Sequence, residues 1–394
     1  MIIQPYYEQI DNLIESLIKH KIMDYDKTRN YAGFGKNRFN NVSGLSVFIS
    51  KGLLKEKVLI KKIIKTKKIN AKFIQEIFWR IYWQGWLENY PVVWENYKKQ
   101  IIQIEDNNPE GIENYSLAIN GNTKIEPFNE WVNEIKSTGY LHNHVRMWFA
   151  SIWIHYLGIP WQLGQKFFYE NLLDADLSSN LLSWRWVAGI QTQGKKYIAT
   201  EENINKYTSN RYLRFKLPKI SNNEIYFEDK KKSDIKFAEL KNDYSQCILI
   251  ITENNLSTEL LNILKNNIKF IILIRFNITS LKKSKVVRSF YENLYQEYIK
   301  KNSIKKLKYF EVQLPDQTNK FIDIIKNNNV ENLVFEYLRS GYEKDIMSQA
   351  LSKLNYNIKY HNILDKFYLD SWKYCEKGFF KFKEKIPILL NKLV

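Results

Sequence analysis

Apolar positions change their rhythm near residue 245. Before it, segments such as 71–89 and 145–157 place apolar side chains three and four residues apart, the spacing that gives a helix one buried stripe. Strand-like alternation is absent there. After it come short β-rich runs: "CILIIT" (247–252), "IKFIILIRF" (268–276), "KLKYFEVQL" (306–314), "NLVFEY" (332–337) and "YNIKYH" (356–361). Helical-looking stretches at 257–266, 284–302, 317–328 and 342–354 separate them. Such alternation predicts a Rossmann-like α/β unit, a mostly parallel sheet with helices on its faces. The polar, lysine-rich stretch 220–240 reads as a connection. The expected organisation is therefore an all-α domain over 1–215, a linker over 216–244 and an α/β domain over 245–394. No internal repeat is evident, and no GxGxxG or Walker-type loop follows any of the strands.

Composition sharpens this picture in three ways. A length of 394 residues is ample for two domains, and 44% hydrophobic content is ordinary for a globular chain. The formal net charge of +18 points to a polyanionic partner, because cations beside phosphates release condensed counterions. An AT-rich coding sequence, which spells many lysines, is the alternative source of that charge. Two cysteines, Cys247 and Cys375, cannot build a disulfide framework or a four-cysteine iron–sulfur site, which suits a reducing cytoplasm. The start "MIIQPYYEQI" has no secretory pattern, and runs such as "FIILI" are too short to span a bilayer. A cytoplasmic monomer without membrane contact is expected.

Candidate chemistry concentrates in the first half, where ten of the 11 tryptophans fall between Trp79 and Trp186. "FIQEIFWRIYW" (73–83) sets Glu76, Trp79, Arg80 and Trp83 within two helical turns. Taken alone, that cluster is an ordinary surface salt bridge over a packed indole. "STGYLHNHVRMW" (137–148) brings Asn143, Arg146 and Met147 onto one helix. "LLDADLSSNLLSWRW" (172–186) adds Asp174, Asp176, Asn180, Trp184 and Trp186. Each polar group could be a cap or a satisfied core residue; their convergence with so many indoles argues for a site.

In that order and spacing, "TGYLHNHVRMWFASIW", "LLDADLSSN" and "WRWVAG" resemble the flavin-binding helical domain of the photolyase/cryptochrome family, in its class I-like form. "NVSGLSVFISKGLL" (41–54) resembles that family's phosphate-binding segment, and "EIFWR" its Glu-Trp-Arg helix. The resemblance covers roughly residues 20–210. It implies FAD as cofactor. Ser43, Gly44, Leu45 and Ser46 match the loop at a helix start that holds the FAD phosphates, where free N–H groups favour anions. Arg146 and Asp174 match an ion pair beside the flavin, Asp176 a second carboxylate, Arg80 and Asn143 further pocket contacts, and Asn180 the amide facing flavin N5. Gly44 stands where many relatives have Arg, and Arg38 is a candidate replacement cation. Tyr25 and Tyr31 are both candidates for a tyrosine near the phosphates.

The same resemblance implies a DNA lesion site. Glu76 matches the carboxyl that hydrogen-bonds a damaged pyrimidine pair, Trp79 and Trp186 the indoles that sandwich it, and Met147 a contact below. Relatives acting on (6-4) photoproducts carry two histidines at the positions of Asn143 and Met147, so cyclobutane pyrimidine dimers are the implied substrate, in single- or double-stranded DNA. His142 and His144, one position off, read as structural. Trp184 and Trp161 match the first two members of an electron-transfer chain, with plain core packing as the alternative. The third member is open between Tyr115, Trp153 and Trp148. The implied activity is light-driven repair by a carbon–carbon lyase, with a blue-light receptor lacking repair as the alternative. The stretches 247–261, 330–354 and 378–390 resemble pieces of the family's antenna domain, which normally comes first, so a circular permutation is implied. The antenna chromophore itself is left open.

Overall fold

The structure, a computed structural model, describes residues 6–107, 112, 114–192, 194–221, 231–235, 237, 244, 246–328, 330–354 and 358–393. Most of the expected linker and part of the stretch 100–121 lie outside these residues. The helical half carries its candidate residues on five helices and the loops that lead into them: α1 (Ser46–Ser50), α2 (Ala71–Asn89), α3 (Asn143–Ser151), α4 (Trp161–Asn171) and α5 (Leu177–Val187). Asn70 starts α2 by accepting hydrogen bonds from the N–H groups of Lys72 and Phe73, a side-chain cap that satisfies two orphan donors. The Asp176 carboxylate caps α5 by accepting from the N–H of Ser179.

The second half is a five-stranded, all-parallel sheet: β1 (Cys247–Thr252), β2 (Ile268–Phe276), β3 (Tyr309–Leu314), β4 (Asn332–Glu336) and β5 (Lys359–Ile363). The crossovers are α6 (Glu259–Ile263), α7 (Lys285–Lys301), α8 (Thr318–Lys326) and α9 (Tyr342–Leu351). Strand order is β3-β2-β1-β4-β5, so the winding reverses between β1 and β4, where open α/β sheets place their ligand crevices. Every residue of β1 is buried, as a central parallel strand covered on both faces requires. The predicted fold class, a helical domain followed by a parallel α/β unit, is the observed one.

The two faces of the sheet have different covers. Ile250, Ile272 and Phe335 meet Phe321 of α8 and Met347 of α9 in a separate core. Leu249, Leu273 and Val334 instead join the core that runs through the helical half. After β5 the chain returns to that half through α10 (Lys366–Trp372), α11 (Phe379–Lys383) and α12 (Ile386–Asn391). Gly85 of α2 makes this return possible. A Cβ there would stand 2.4 Å from Trp372 Cδ1 and 2.9 Å from Cys375 Sγ. Ion pairs Lys55–Glu336, Lys57–Glu259 and Arg339–Asp176 tie the halves together. Among the described residues no helix is long and apolar enough to cross a membrane.

Candidate flavin and lesion site

Two buried acid–arginine pairs form the centre of the candidate site. Asp174 and Asp176 sit in the turn between α4 and α5, 7% and 6% exposed. Arg146, from α3, reaches both oxygens of Asp174 at 3.0 Å and donates from Nε to Leu141 O at 2.9 Å. Arg80, from α2, lies 3.2 Å from Asp176 and donates from Nε to the buried Glu56 at 3.1 Å. Arg339, arriving from the end of β4, approaches Asp176 at 3.4 Å. Burial alone would raise the Asp176 carboxyl, but Arg80, Arg339 and the Ser179 N–H together hold it down at about 2. For Asp174 burial is likewise outweighed, by Arg146, the Ser46 hydroxyl and Arg80, and its pKa falls below the usual carboxylate range.

The other candidates Ser43, Ser46, Glu76, Trp79, Asn143, Met147, Asn180 and Trp186 are half-exposed or exposed, and of these Ser46 reaches the Asp174 carboxylate with its hydroxyl. Gly44 and Leu45 are buried. Gly44 has φ +71°, a left-handed conformation that explains a glycine where the resemblance led one to expect Arg. Arg38 donates to Gly35 O at 2.8 Å and lies 4.0 Å from Glu134. The cation beside this loop that sequence reasoning missed is Lys21, whose Nζ donates to Phe39 O at 2.7 Å and Val42 O at 3.1 Å. Helix α1 is a single short turn, so the loop's polar groups matter there more than any dipole.

Glu76 pairs with Lys72 at 3.1 Å and Arg29 at 3.4 Å. Trp79 lies flat on Phe379 of α11, ring centroids 3.5 Å apart and planes at 9°. Trp186 stacks on Tyr197 at 5.5 Å. Asn180 Nδ2 donates to Gln165 O on α4 at 2.9 Å. Trp184 is buried against Phe168 at 5.1 Å and Trp153 at 6.1 Å, and Gly164 gives it room: a Cβ there would meet its Cη2 at 2.2 Å. Trp161 packs against Tyr97 at 5.8 Å and under the Arg185 guanidinium. The Trp153 ring also touches Tyr115 at 6.0 Å, whereas Trp148 stacks on Trp131 and His144. His142 Nδ1 caps α3, and its ring is pushed down to about 3 by burial and by His144 and Arg146 beside it.

A cavity of about 560 Å³ opens at the carboxyl ends of β1 and β4, between the sheet and the helical half. Of the predicted site residues it takes in Asp176; its other walls include Ser50, Lys51, Arg339 and Trp372. The walls come from five separate segments, and no local motif announces them. Lys51 donates to Asn254 at 2.6 Å there, and burial together with the Lys283 charge lowers its ammonium to about 7.

Residues 73–257 match the family model for the FAD-binding domain of DNA photolyase. The deoxyribodipyrimidine photo-lyase of Buchnera aphidicola subsp. Baizongia pistaciae is 26% identical over 229 residues, covering 51% of this chain and 46% of that protein. That of Neurospora crassa is 27% identical over 195 residues, 47% of this chain and 31% of the relative. Cryptochrome-2 of Arabidopsis thaliana is 24% identical over 198 residues, again 47% and 31%. The Synechocystis sp. PCC6803 cryptochrome structure aligns with a TM-score of 0.42 at 20% identity, over 51% of this chain and 42% of that one. The helical half therefore defines a flavoprotein, an FAD-binding helical domain carrying a parallel α/β layer. Over residues 73–257 the chain carries the FAD-binding domain that defines the photolyase/cryptochrome family. It spans less than half the length of these curated relatives.

The polar atoms left over in the cluster suit such a cofactor. Asp174 Oδ1 and Arg80 Nη2 are buried within ion-pair distance of their partners, yet neither completes a hydrogen bond. An acceptor for an imide N–H and a donor for a carbonyl or phosphate oxygen are thus held ready, with the Ser46 hydroxyl against Asp174.

Proposed function

We propose that the protein repairs cyclobutane pyrimidine dimers in DNA with light, acting as a deoxyribodipyrimidine photolyase. Reduced FAD, when bound, supplies the photoexcited electron that opens the dimer's two carbon–carbon bonds and then returns. The chain's own residues do the rest. Ser43, Gly44, Leu45, Ser46, Arg80, Asn143, Arg146, Asp174 and Asp176 hold the cofactor, and Asn180 tunes it. Glu76 hydrogen-bonds the extruded dimer, Trp79 and Trp186 stack on it, and Met147 lies below. Stacking contributes about 1–3 kcal/mol per base, and a damaged step is the least costly to extrude. Trp184 and Trp161 would relay electrons from an external reductant, such as a solution thiol, to the cofactor site. The observation that supports this reading most is the two buried acid–arginine pairs, Arg146–Asp174 and Arg80–Asp176, whose leftover acceptor and donor suit the cofactor.

Signalling without repair is the second reading, favoured by one observation: a face of Trp79 is already covered by Phe379. Photoreduced protein incubated with ultraviolet-damaged oligothymidine, lit and dark, separates the two. Repair predicts light-dependent loss of dimers; unchanged dimers under light favour the receptor.

A further inference from the structure

We infer that the closing segment around α11 is a nucleic-acid-binding element, a track for the DNA strand that flanks the lesion site. This deepens the repair reading and rests on it for the place of the dimer. Three observations carry it. First, the segment is fixed beside Trp79: Phe379 stacks on that indole, Tyr82 Oη donates to Lys377 O at 2.8 Å, and Tyr90 Oη donates to Glu376 O at 2.9 Å. Phe382, buried against Phe78 and Tyr82, anchors the far side of the turn. Second, Phe380 is 76% exposed, the most exposed large apolar side chain among the described residues. Its ring stands 6.5 Å from Phe379 at 70°, the next aromatic surface outward from the Trp79 stack. Third, Lys377, Lys381, Lys383 and Lys385 follow one another within nine residues, with Glu384 the one acid among them. Lys381 spends its charge on Glu384 at 3.2 Å in an exposed pair; Lys377 and Lys383 are exposed and make no ion pair among the described residues.

An exposed ring set among lysines on a rigid turn is the arrangement by which proteins hold single-stranded nucleic acid: a base stacks on the ring while cations follow the phosphates. Such a contact is indifferent to damage, so it adds affinity for the strand beside the dimer, and dimer preference stays with Glu76, Trp79 and Trp186.

The test is fluorescence anisotropy with labelled oligothymidine, with and without one dimer, on the FAD-loaded full chain at several salt concentrations. Phe380→Ala is expected to weaken both DNAs alike, by about fivefold to about 150-fold. Phe380→Trp should restore binding. The double variant Lys377→Gln, Lys383→Gln should lower the salt slope by about 1.4. Bound FAD, read from visible absorbance, reports that each variant is folded. Phe380→Ala binding undamaged DNA within twofold of the parent overturns the inference. A parent that binds undamaged DNA through Phe380 but shows no preference for the dimer overturns the repair reading and leaves this element standing. Binding of neither DNA overturns both.

Discussion

Asp176→Asn isolates the charge that joins the two halves. Asparagine caps a helix as well as aspartate does, so the hydrogen bond from Ser179 N–H, 2.9 Å in the parent, is kept and only the negative charge is lost. Two routes give the magnitude. Removing one partner of a buried ion pair costs about 3–5 kcal/mol. Here the loss is smaller, because Arg80 retains Glu56 at 3.1 Å and the Arg339 side chain, 32% exposed, can turn to water. The second route is linkage: a carboxyl held at about 2 instead of its ordinary 3.8 stabilises the fold at neutral pH by about 2 kcal/mol. Both place the expected loss at about 2–3 kcal/mol at pH 7. The sign follows from the depressed pKa. The stabilisation is complete above the unfolded value and is lost as pH falls toward about 2, so the gap between parent and variant should narrow by about 1 kcal/mol between pH 6 and pH 3. Urea unfolding of cofactor-stripped protein, followed by tryptophan fluorescence, measures this without ligand linkage. A gap under about 0.5 kcal/mol at pH 7, or one that stays constant down to pH 3, refutes the reasoning.

Lys51, lowered to about 7, binds a proton in the unfolded chain that it gives up on folding between about pH 7 and its ordinary value. Stability should therefore rise across that window, by at most about 1.4 kcal/mol per pH unit from this group, and Lys51→Met should flatten the rise in urea titrations. Gly164→Ala drives a methyl into Trp184 and should destabilise by about 1–3 kcal/mol, against about 1 kcal/mol returned by helix propensity, with a lowered Tm and altered indole emission as readouts. Glu76→Ala should retain FAD while lowering the quantum yield of dimer repair; loss of the cofactor instead would place Glu76 at the wrong end of the site.

Much of the α/β half was legible because its strands are continuous β-branched runs. "CILIIT" and "IKFIILIRF" match β1 and β2 residue for residue. β3 starts at Tyr309, three residues later than expected, because a short helical turn at Ile304–Lys306 takes up the lysine-rich lead-in. β5 is shifted to Lys359–Ile363, and residues 356 and 357 of its expected range lie outside the described residues. The Arg146–Asp174 pair was anticipated through the family resemblance of two segments, 137–148 and 172–186, whereas the pairing of Arg80 with Asp176 was not. What was not legible depends on partners far apart in the chain. Nothing near Trp79 indicates that Phe379 will cover it, nothing near Lys55 names Glu336, and the cavity walls assemble from both halves. The neighbours of the indoles were equally hidden: helical spacing puts Trp184 on a face, and only packing decides that Trp153 and Phe168 meet it.

The return of the closing helices to α2 has a consequence for biogenesis. Tyr82 and the Lys377 carbonyl it bonds are 295 residues apart. At ribosomal speeds of about 5–20 residues per second, a nascent α2 waits about 15 to 60 s for its cover, with Phe78, Tyr82 and one side of Trp79 bare meanwhile. Chaperone holding is expected to matter most in that interval, and ribosome stalling ahead of α10 should yield chains that aggregate despite carrying every strand of the sheet.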